Sequence, residues 1–150
     1  MEALDALQSL KKNLAAIDFF REFTEAEMTH IYHNGQFKIC KAGETIIREG
    51  NVDRTMFVLI TGLVKVARRF TPDQILATLE PGTIFGEIEF VSRQVRSTSV
   101  IALEESLVFQ LEEKHYSELP AEIMVKIQQQ AVKLLLNRLE TIKQVTGYDG

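Results

Sequence analysis

Short runs of β-branched and aromatic residues, separated by turns that contain glycine, fill the middle of this 150-residue chain. Such runs predict strands, and successive runs begin about 8 to 12 residues apart with no long helix between them. This spacing predicts an antiparallel barrel or jelly roll rather than a parallel α/β sheet. Six of the eight glycines lie between residues 35 and 86, at the predicted turns. Beyond an initial tract that starts at Gln36, the predicted strands are Thr45–Ile47, Met56–Ile60, Leu63–Val66, Gln74–Leu79, Thr83–Phe85, Ser97–Ala102 and Ser106–Leu111.

Helical patterns flank the strands on both sides. Thr24 stands three residues before Glu27, as in a capping box, and predicts a short helix that starts there. Pro120, which is tolerated at the start of a helix, precedes a long apolar stripe that Gly147 ends. An earlier N-terminal helix is predicted by leucines at intervals of three and four, namely Leu4, Leu7, Leu10 and Leu14. The stripe of the long C-terminal helix consists of Ile123, Ile127, Ala131, Leu134, Leu135, Ile142 and Val145.

These patterns predict a mainly β protein, an antiparallel jelly-roll (double-stranded β-helix) barrel with N-terminal helices and a long C-terminal helix. A hydrophobic content of 45% and a charged content of 25% are typical of one globular domain. We divide that domain into a helical lead-in (1–34), the β-barrel (35–111) and the C-terminal helices (112–147). The last helix, roughly 25 residues, is longer than one barrel face needs, so part of its stripe packs either along its own barrel or on a second copy. A homodimer through this helix, or an unknown effector protein, is therefore the expected partner.

The charge balance and the apolar runs exclude several classes of protein. With 21 acidic and 17 basic residues, the net charge of -4 argues against broad binding to nucleic acid. Met56–Ile60 is far shorter than the roughly 18 apolar residues that a membrane span requires. Residues 1–20 lack the continuous apolar stretch of a signal peptide. We therefore expect a cytoplasmic protein with neither a membrane nor a nucleic acid as its partner.

One segment combines residues suited to binding a phosphate. Gly86 stands at the start of a predicted helical turn, whose free N–H groups can bind an anion. Arg96 carries a planar, permanently charged fork that fits phosphate oxygens. Glu87 accepts hydrogen bonds when ionised and suits a ribose hydroxyl. As a bare pattern this is equally consistent with a solvated Glu–Arg pair on the surface.

The glycine framework around this segment resembles the cyclic-nucleotide-binding domain of the catabolite activator protein, cyclic-nucleotide-dependent kinases and gated channels. The resemblance covers nearly the whole chain, and Arg96 follows Glu87 at the interval seen in kinase regulatory subunits. Its motifs are Ala42–Gly50, Met56–Ile60 with Gly62–Val66, Leu79 with Pro81-Gly82, and Phe85–Ile88. The helical lead-in, with Ile17, Phe19-Phe20 and Phe23–Glu25, is also similar.

The resemblance implies a regulatory module that senses cyclic AMP or cyclic GMP through a phosphate-binding cassette and signals through its C-terminal helix. Arg96 would bind the cyclic phosphate and Ser97 would add a hydroxyl hydrogen bond to it. Gly86 and Ile88 would supply backbone contacts, and Glu87 would accept from the ribose 2′-hydroxyl. The choice between the two nucleotides stays open, since Ser97 is compatible with either purine.

Three positions depart from the family pattern. Asp53 stands where the family usually has Gly or Ala, and Thr98 replaces an alanine; we interpret these as a different turn and a small change in volume. Glu89 stands where the family prefers a small residue close to the phosphate. Its carboxylate would repel the ligand or pair with Arg96 or Arg93. The alternative hypothesis is thus a degenerate, nucleotide-independent dimerisation or interaction domain of the same fold, with Glu89 blocking the phosphate site.

No other group of residues predicts catalysis or metal binding. His30 and His33 lack a third ligand at suitable spacing, and no histidine follows until His115, which excludes a cupin metal site. Cys40 lies in a predicted strand without a neighbouring histidine and is expected to be a small core residue. We therefore predict no enzyme and no metal. A helix-turn-helix would need residues beyond Gly150, so DNA binding is not expected.

Overall fold

The computed structural model describes residues 12, 14, 17–86 and 94–146, with no side-chain description at 138 and 142–146. A 3-10 turn at Asp18–Phe20 leads to helix α1, Glu25–Asn34. The strands are β1 (Gln36–Cys40), β2 (Thr45–Ile47), β3 (Thr55–Thr61), β4 (Val64–Ala67), β5 (Ala77–Leu79), β6 (Ile84–Phe85), β7 (Ser99–Ala102) and β8 (Ser106–Glu112). Helices α2 (Glu113–Tyr116) and α3 (Ala121–Thr146) follow.

The strands form two four-stranded antiparallel sheets, in the orders β1-β8-β3-β6 and β2-β7-β4-β5. Because consecutive strands alternate between the sheets in several places, the chain closes into a jelly roll. The prediction of an antiparallel jelly-roll barrel with N-terminal helices and a long C-terminal helix is confirmed.

Strand β3 shows why the uninterrupted apolar run Met56–Ile60 is needed. Phe57 and Leu59 point into the barrel interior, where they pack with Cys40 and other small or β-branched residues. Met56 and Val58 point outward into a second cluster, which the helices cover. A central strand buried on both faces has no position for a polar residue.

Helix α1 attaches the lead-in to this outer cluster. The hydroxyl of Thr24 accepts from the Glu27 amide and the Glu27 carboxylate accepts from the Thr24 amide, so the predicted capping box is present. Lys126 of α3 donates to Glu27 Oε1 at 2.7 Å and to the Glu22 carbonyl at 3.2 Å. This charged contact joins α1 and α3, and it lowers the pKa of the Glu27 carboxyl below its usual value.

Two strands are shorter than the sequence predicts. The run Gln74–Leu79 contributes only its last three residues to β5, because Thr71 and Gln74 are held in tight turns at the tip of the β4–β5 hairpin. The run Ser97–Ala102 enters β7 only at Ser99. The backbone of Arg96 is hydrogen-bonded to the turn before β3 instead of continuing the strand. This break in strand pairing positions the candidate site.

Candidate functional site

Arg96 is the most deeply buried charged side chain in the described part of the chain, with 1% of its surface exposed. Its Nη1 donates to the Gly86 carbonyl at 2.9 Å, and its Nη2 donates to the Thr55 carbonyl at 2.6 Å. The carboxylate of Asp53 lies 3.4 Å from Nη2. Burying a charge is costly unless it is paired and hydrogen-bonded, and these three oxygens provide both conditions.

The backbone around Arg96 explains why its side chain points inward. The Arg96 amide donates to the Asn51 carbonyl at 2.9 Å, and the Arg96 carbonyl accepts from the Gly50 amide at 2.8 Å. These two bonds fasten the segment before β7 to the turn before β3. Because this backbone pairing holds the segment against the turn, the long arginine side chain reaches the Thr55 and Gly86 carbonyls.

Asp53 belongs to the same turn and has two roles there. Its Oδ1 accepts from the Thr55 amide at 2.9 Å, which closes an Asx turn before β3. Its Oδ2 is the atom that pairs with Arg96. The sequence interpretation treated Asp53 only as a change of turn, so it missed this ion pair. An acid at a position where the related family has a small residue was the one available signal.

Gly86 supplies a conformation and a space that a side chain would remove. Its φ angle of +78° lies in the left-handed region that disfavours residues with a Cβ. A Cβ built there would lie 2.8 Å from the Thr55 carbonyl oxygen and 3.0 Å from Nη1 of Arg96. The turn therefore brings backbone against the guanidinium in a way that only glycine allows.

Ser97 lies beside this arrangement on the exposed side of the segment. Its carbonyl accepts from Arg68 Nη1 at 3.3 Å, and the same nitrogen lies 3.3 Å from Glu49 Oε1. Arg68, which the sequence placed in a small solvated basic cluster, thus ties the β4–β5 hairpin to the candidate site. Ser97 itself is exposed and directly follows the buried arginine in the chain.

The structure therefore brings Gly86 and Arg96 into direct contact and places Ser97 next to them. Three further predicted site residues, Glu87, Ile88 and Glu89, lie outside the described residues, as does Arg93. Chemically, the described part is a guanidinium that pairs with one carboxylate and donates hydrogen bonds to two neutral carbonyls. An anion that approaches Arg96 would meet a preorganised cation and would compete with Asp53 for it.

Cys40 is the small core residue that the sequence predicts. Cys40 is fully buried in the barrel, and burial raises the pKa of its thiol to about 11, so it is protonated at neutral pH. Among residues 17–86 and 94–146, no three His, Cys, Asp or Glu side chains converge as a metal site would require. No helix within the described ranges has the length and apolar character of a membrane span.

Fold and site together define a jelly-roll binding domain with an arginine held in its wall beside a glycine turn. The family model for the cyclic nucleotide-binding domain matches residues 26–122, and the chain belongs to that family. The resemblance inferred from the glycine framework is thereby confirmed.

Individual relatives agree with this assignment. The chain is 33% identical over 94 residues to cGMP-dependent protein kinase 2 of Homo sapiens, a match that covers 61% of this chain and 12% of the kinase. The match thus spans a small part of that kinase. A cyclic nucleotide-binding domain from Methylobacillus flagellatus has a similar structure, with a TM-score of 0.79, 18% identity and coverage of 95% and 87% of the two chains.

The same fold also occurs in a protein described as independent of cAMP. The regulatory subunit of a cAMP-independent protein kinase A from Trypanosoma brucei matches with a TM-score of 0.68 and 18% identity, over 91% of this chain and 45% of that one. Similarity at this level shows the fold alone.

Proposed function

We propose that this chain is a regulatory cyclic-nucleotide-binding module that senses cyclic AMP or cyclic GMP. In this proposal Arg96 binds the cyclic phosphate, with backbone contacts from Gly86 and Ile88 and a hydroxyl bond from Ser97. Glu87 accepts from the ribose. The observation that supports it most strongly is the buried guanidinium of Arg96, held against the Gly86 turn in a member of the cyclic nucleotide-binding domain family.

The geometry of Arg96 favours an anion-binding role over a purely structural one. Two of its three described acceptors are neutral carbonyls, which satisfy N–H groups without neutralising the charge. The Asp53 carboxylate is about one-third exposed and lies 3.4 Å from Nη2, longer than a strong charge-assisted hydrogen bond. A phosphate oxygen in its place would approach the guanidinium more closely and form a shorter charge-assisted hydrogen bond.

A second candidate function is supported by the same ion pair. In a nucleotide-independent interaction domain, Asp53 would take the place of the phosphate permanently and hold the barrel together. Glu89 would then act as a further antagonist of binding. This hypothesis and the first differ in one measurable respect, which is whether removing a carboxylate creates binding that the wild-type protein lacks.

Calorimetric titration with cyclic AMP and cyclic GMP tests the proposed function. We expect saturable binding of at least one nucleotide, and at least tenfold weaker binding by Arg96→Ala, because a hydrogen bond to a charged group contributes roughly 1.5 to 3 kcal/mol. Arg69→Ala is the matched control, since Arg69 is exposed and stacks on Phe70 at 4.6 Å. No heat at millimolar nucleotide would contradict the proposal. Binding that appears only in Asp53→Asn or Glu89→Ala would favour the second candidate.

We also propose that α3 forms a homodimer, with a second copy covering its outer face. Residues Val125, Val132 and Leu139 are 50%, 46% and 50% exposed and are spaced seven apart, as in a two-stranded coiled coil. The residues that pack α3 on its own barrel, Ile123, Ile127 and Ala131, are at most 2% exposed and lie on the opposite face. One helix therefore carries two apolar faces, and its own domain buries one of them.

A further inference from the structure

Three consecutive residues where the turn meets β3 contact two different partners. Asp53 and Thr55 contact Arg96, the first through its carboxylate and the second through its backbone carbonyl. Arg54, between them, contacts Glu113 instead, and its Nη1 lies 3.2 and 3.3 Å from the two carboxylate oxygens of that residue. The same short segment therefore contacts both the arginine and the start of α2.

Glu113 is the first residue of α2, so the contact reaches the C-terminal helices. Helix α2 ends at Tyr116, whose hydroxyl donates to the Met124 carbonyl of α3 at 3.1 Å. Tyr116 is 8% exposed and belongs to the outer core cluster. The contacts therefore form a continuous series from Arg96, through the 53–55 turn and the Arg54–Glu113 bridge, to α3.

The Arg54–Glu113 ion pair is partly shielded from solvent, so its electrostatic attraction is only partly screened. The side chains of Arg54 and Glu113 are 29% and 40% exposed, at the edge of an open groove between the turn and the start of α2. Lys38–Glu44 is a comparable pair elsewhere on the barrel, at 3.4 Å and with exposures of 54% and 35%. That second pair does not contact the 53–55 turn, which makes it a suitable reference.

We propose that Arg54 is a positioning residue that couples Arg96 to the C-terminal helices through Glu113. Its bridge fixes the turn that presents Asp53 and the Thr55 carbonyl to the guanidinium. When the Arg54–Glu113 contact is removed, the 53–55 segment holds the Arg96 guanidinium less firmly. Conversely, when a phosphate replaces Asp53 at Arg96, the geometry of the Arg54–Glu113 contact changes. The consequence for nucleotide affinity rests on the proposed function, whereas the coupling itself exists without a ligand.

Amide hydrogen exchange on the ligand-free chain tests the coupling independently of any nucleotide. The reporters are the Gly50 amide, which donates to the Arg96 carbonyl, and the Arg96 amide, which donates to the Asn51 carbonyl, because these bonds hold the arginine segment to the turn. We expect Arg54→Gln and Glu113→Gln each to accelerate exchange at both amides by roughly three- to tenfold, relative to amides of β4. The charge-swapped variant Arg54→Glu with Glu113→Arg should restore slow exchange, and Lys38→Gln should leave it unchanged.

The competing interpretation is that Arg54 and Glu113 only stabilise α2. In that case both substitutions would speed exchange over 113–119 and leave Gly50 and Arg96 unchanged, which would overturn the proposal. Failure of the swapped pair to restore slow exchange would also overturn it. For a nucleotide that binds the wild type, Arg54→Gln should weaken affinity roughly three- to tenfold, and unchanged affinity would contradict the coupling. Absence of nucleotide binding by the wild type would contradict the proposed function alone.

Discussion

The carboxylate of Asp53 lies 3.4 Å from the guanidinium of Arg96, and this pair joins the two sheets of the barrel. Asp53 precedes β3 of one sheet, and Arg96 precedes β7 of the other. In the proposed function, a phosphate at Arg96 would take the place of the Asp53 carboxylate. Under that proposal the pair stabilises the ligand-free domain and opposes the ligand at the same time.

Asp53→Asn separates these two effects. Asparagine retains an oxygen for the Thr55 amide and removes the charge that balances Arg96. We expect the free energy of unfolding to fall by about 1–2 kcal/mol, since Asp53 is partly exposed and the pair is incompletely buried. Removal of like-charge repulsion should strengthen nucleotide binding by about 1 kcal/mol, or roughly fivefold. Urea denaturation and calorimetry measure the two changes; an unchanged stability with weaker binding would contradict this account of Asp53.

Gly86→Ala tests the close approach of backbone to the arginine. Gly82→Ala is the matched control, because Gly82 has a similar positive φ of +93° but open space where its Cβ would lie. Both variants incur the left-handed penalty of about 1–2 kcal/mol. Only Gly86→Ala also forces Arg96 and the Thr55 carbonyl to move, which should cost about 1–3 kcal/mol more. Equal loss of stability in the two variants, measured by urea denaturation, would show that the contact is not tight.

The Lys126–Glu27 contact predicts a pH dependence of stability. Because the pKa of Glu27 is lower in the folded protein than in the unfolded chain, its contribution is present above the unfolded pKa and is lost as the pH falls through the folded pKa. Glu27→Gln should therefore make the free energy of unfolding fall less steeply between about pH 5 and pH 3. The control Glu25→Gln removes an exposed carboxylate from the same helical turn and should change this pH dependence less than Glu27→Gln does. Identical pH profiles for the two variants, from urea midpoints, would exclude the contact as a stabilising element.

A charged substitution on the outer face of α3 tests the proposed dimer. Val132→Lys should convert a dimer to a monomer in light scattering after size-exclusion chromatography, because a lysine at an apolar seam position is poorly accommodated. Asn137→Lys adds the same charge on an exposed part of α3 away from the seam and should leave the dimer intact. A wild-type chain that is monomeric at high micromolar concentration would contradict the proposal.

The fold could be predicted because local patterns and turn chemistry agree along the chain. The apolar run Met56–Ile60 and the capping box at Thr24 depend on near neighbours, and both elements formed as expected. The Asp53–Arg96 pair could not be predicted, because it depends on how two distant turns meet. The shortened β5 and β7 have the same origin: tight turns and the Gly50–Arg96 backbone pairing removed residues that strand propensity alone favours.

The most direct test of nucleotide sensing is a crystal structure of the wild-type chain grown with saturating cyclic AMP or cyclic GMP. The account predicts the cyclic phosphate at about 2.8 Å from an Nη atom of Arg96, with the Asp53 carboxylate moved away from the guanidinium. A structure in which Asp53 keeps its contact with Arg96, or Glu89 pairs with it, and no nucleotide occupies the barrel would contradict it.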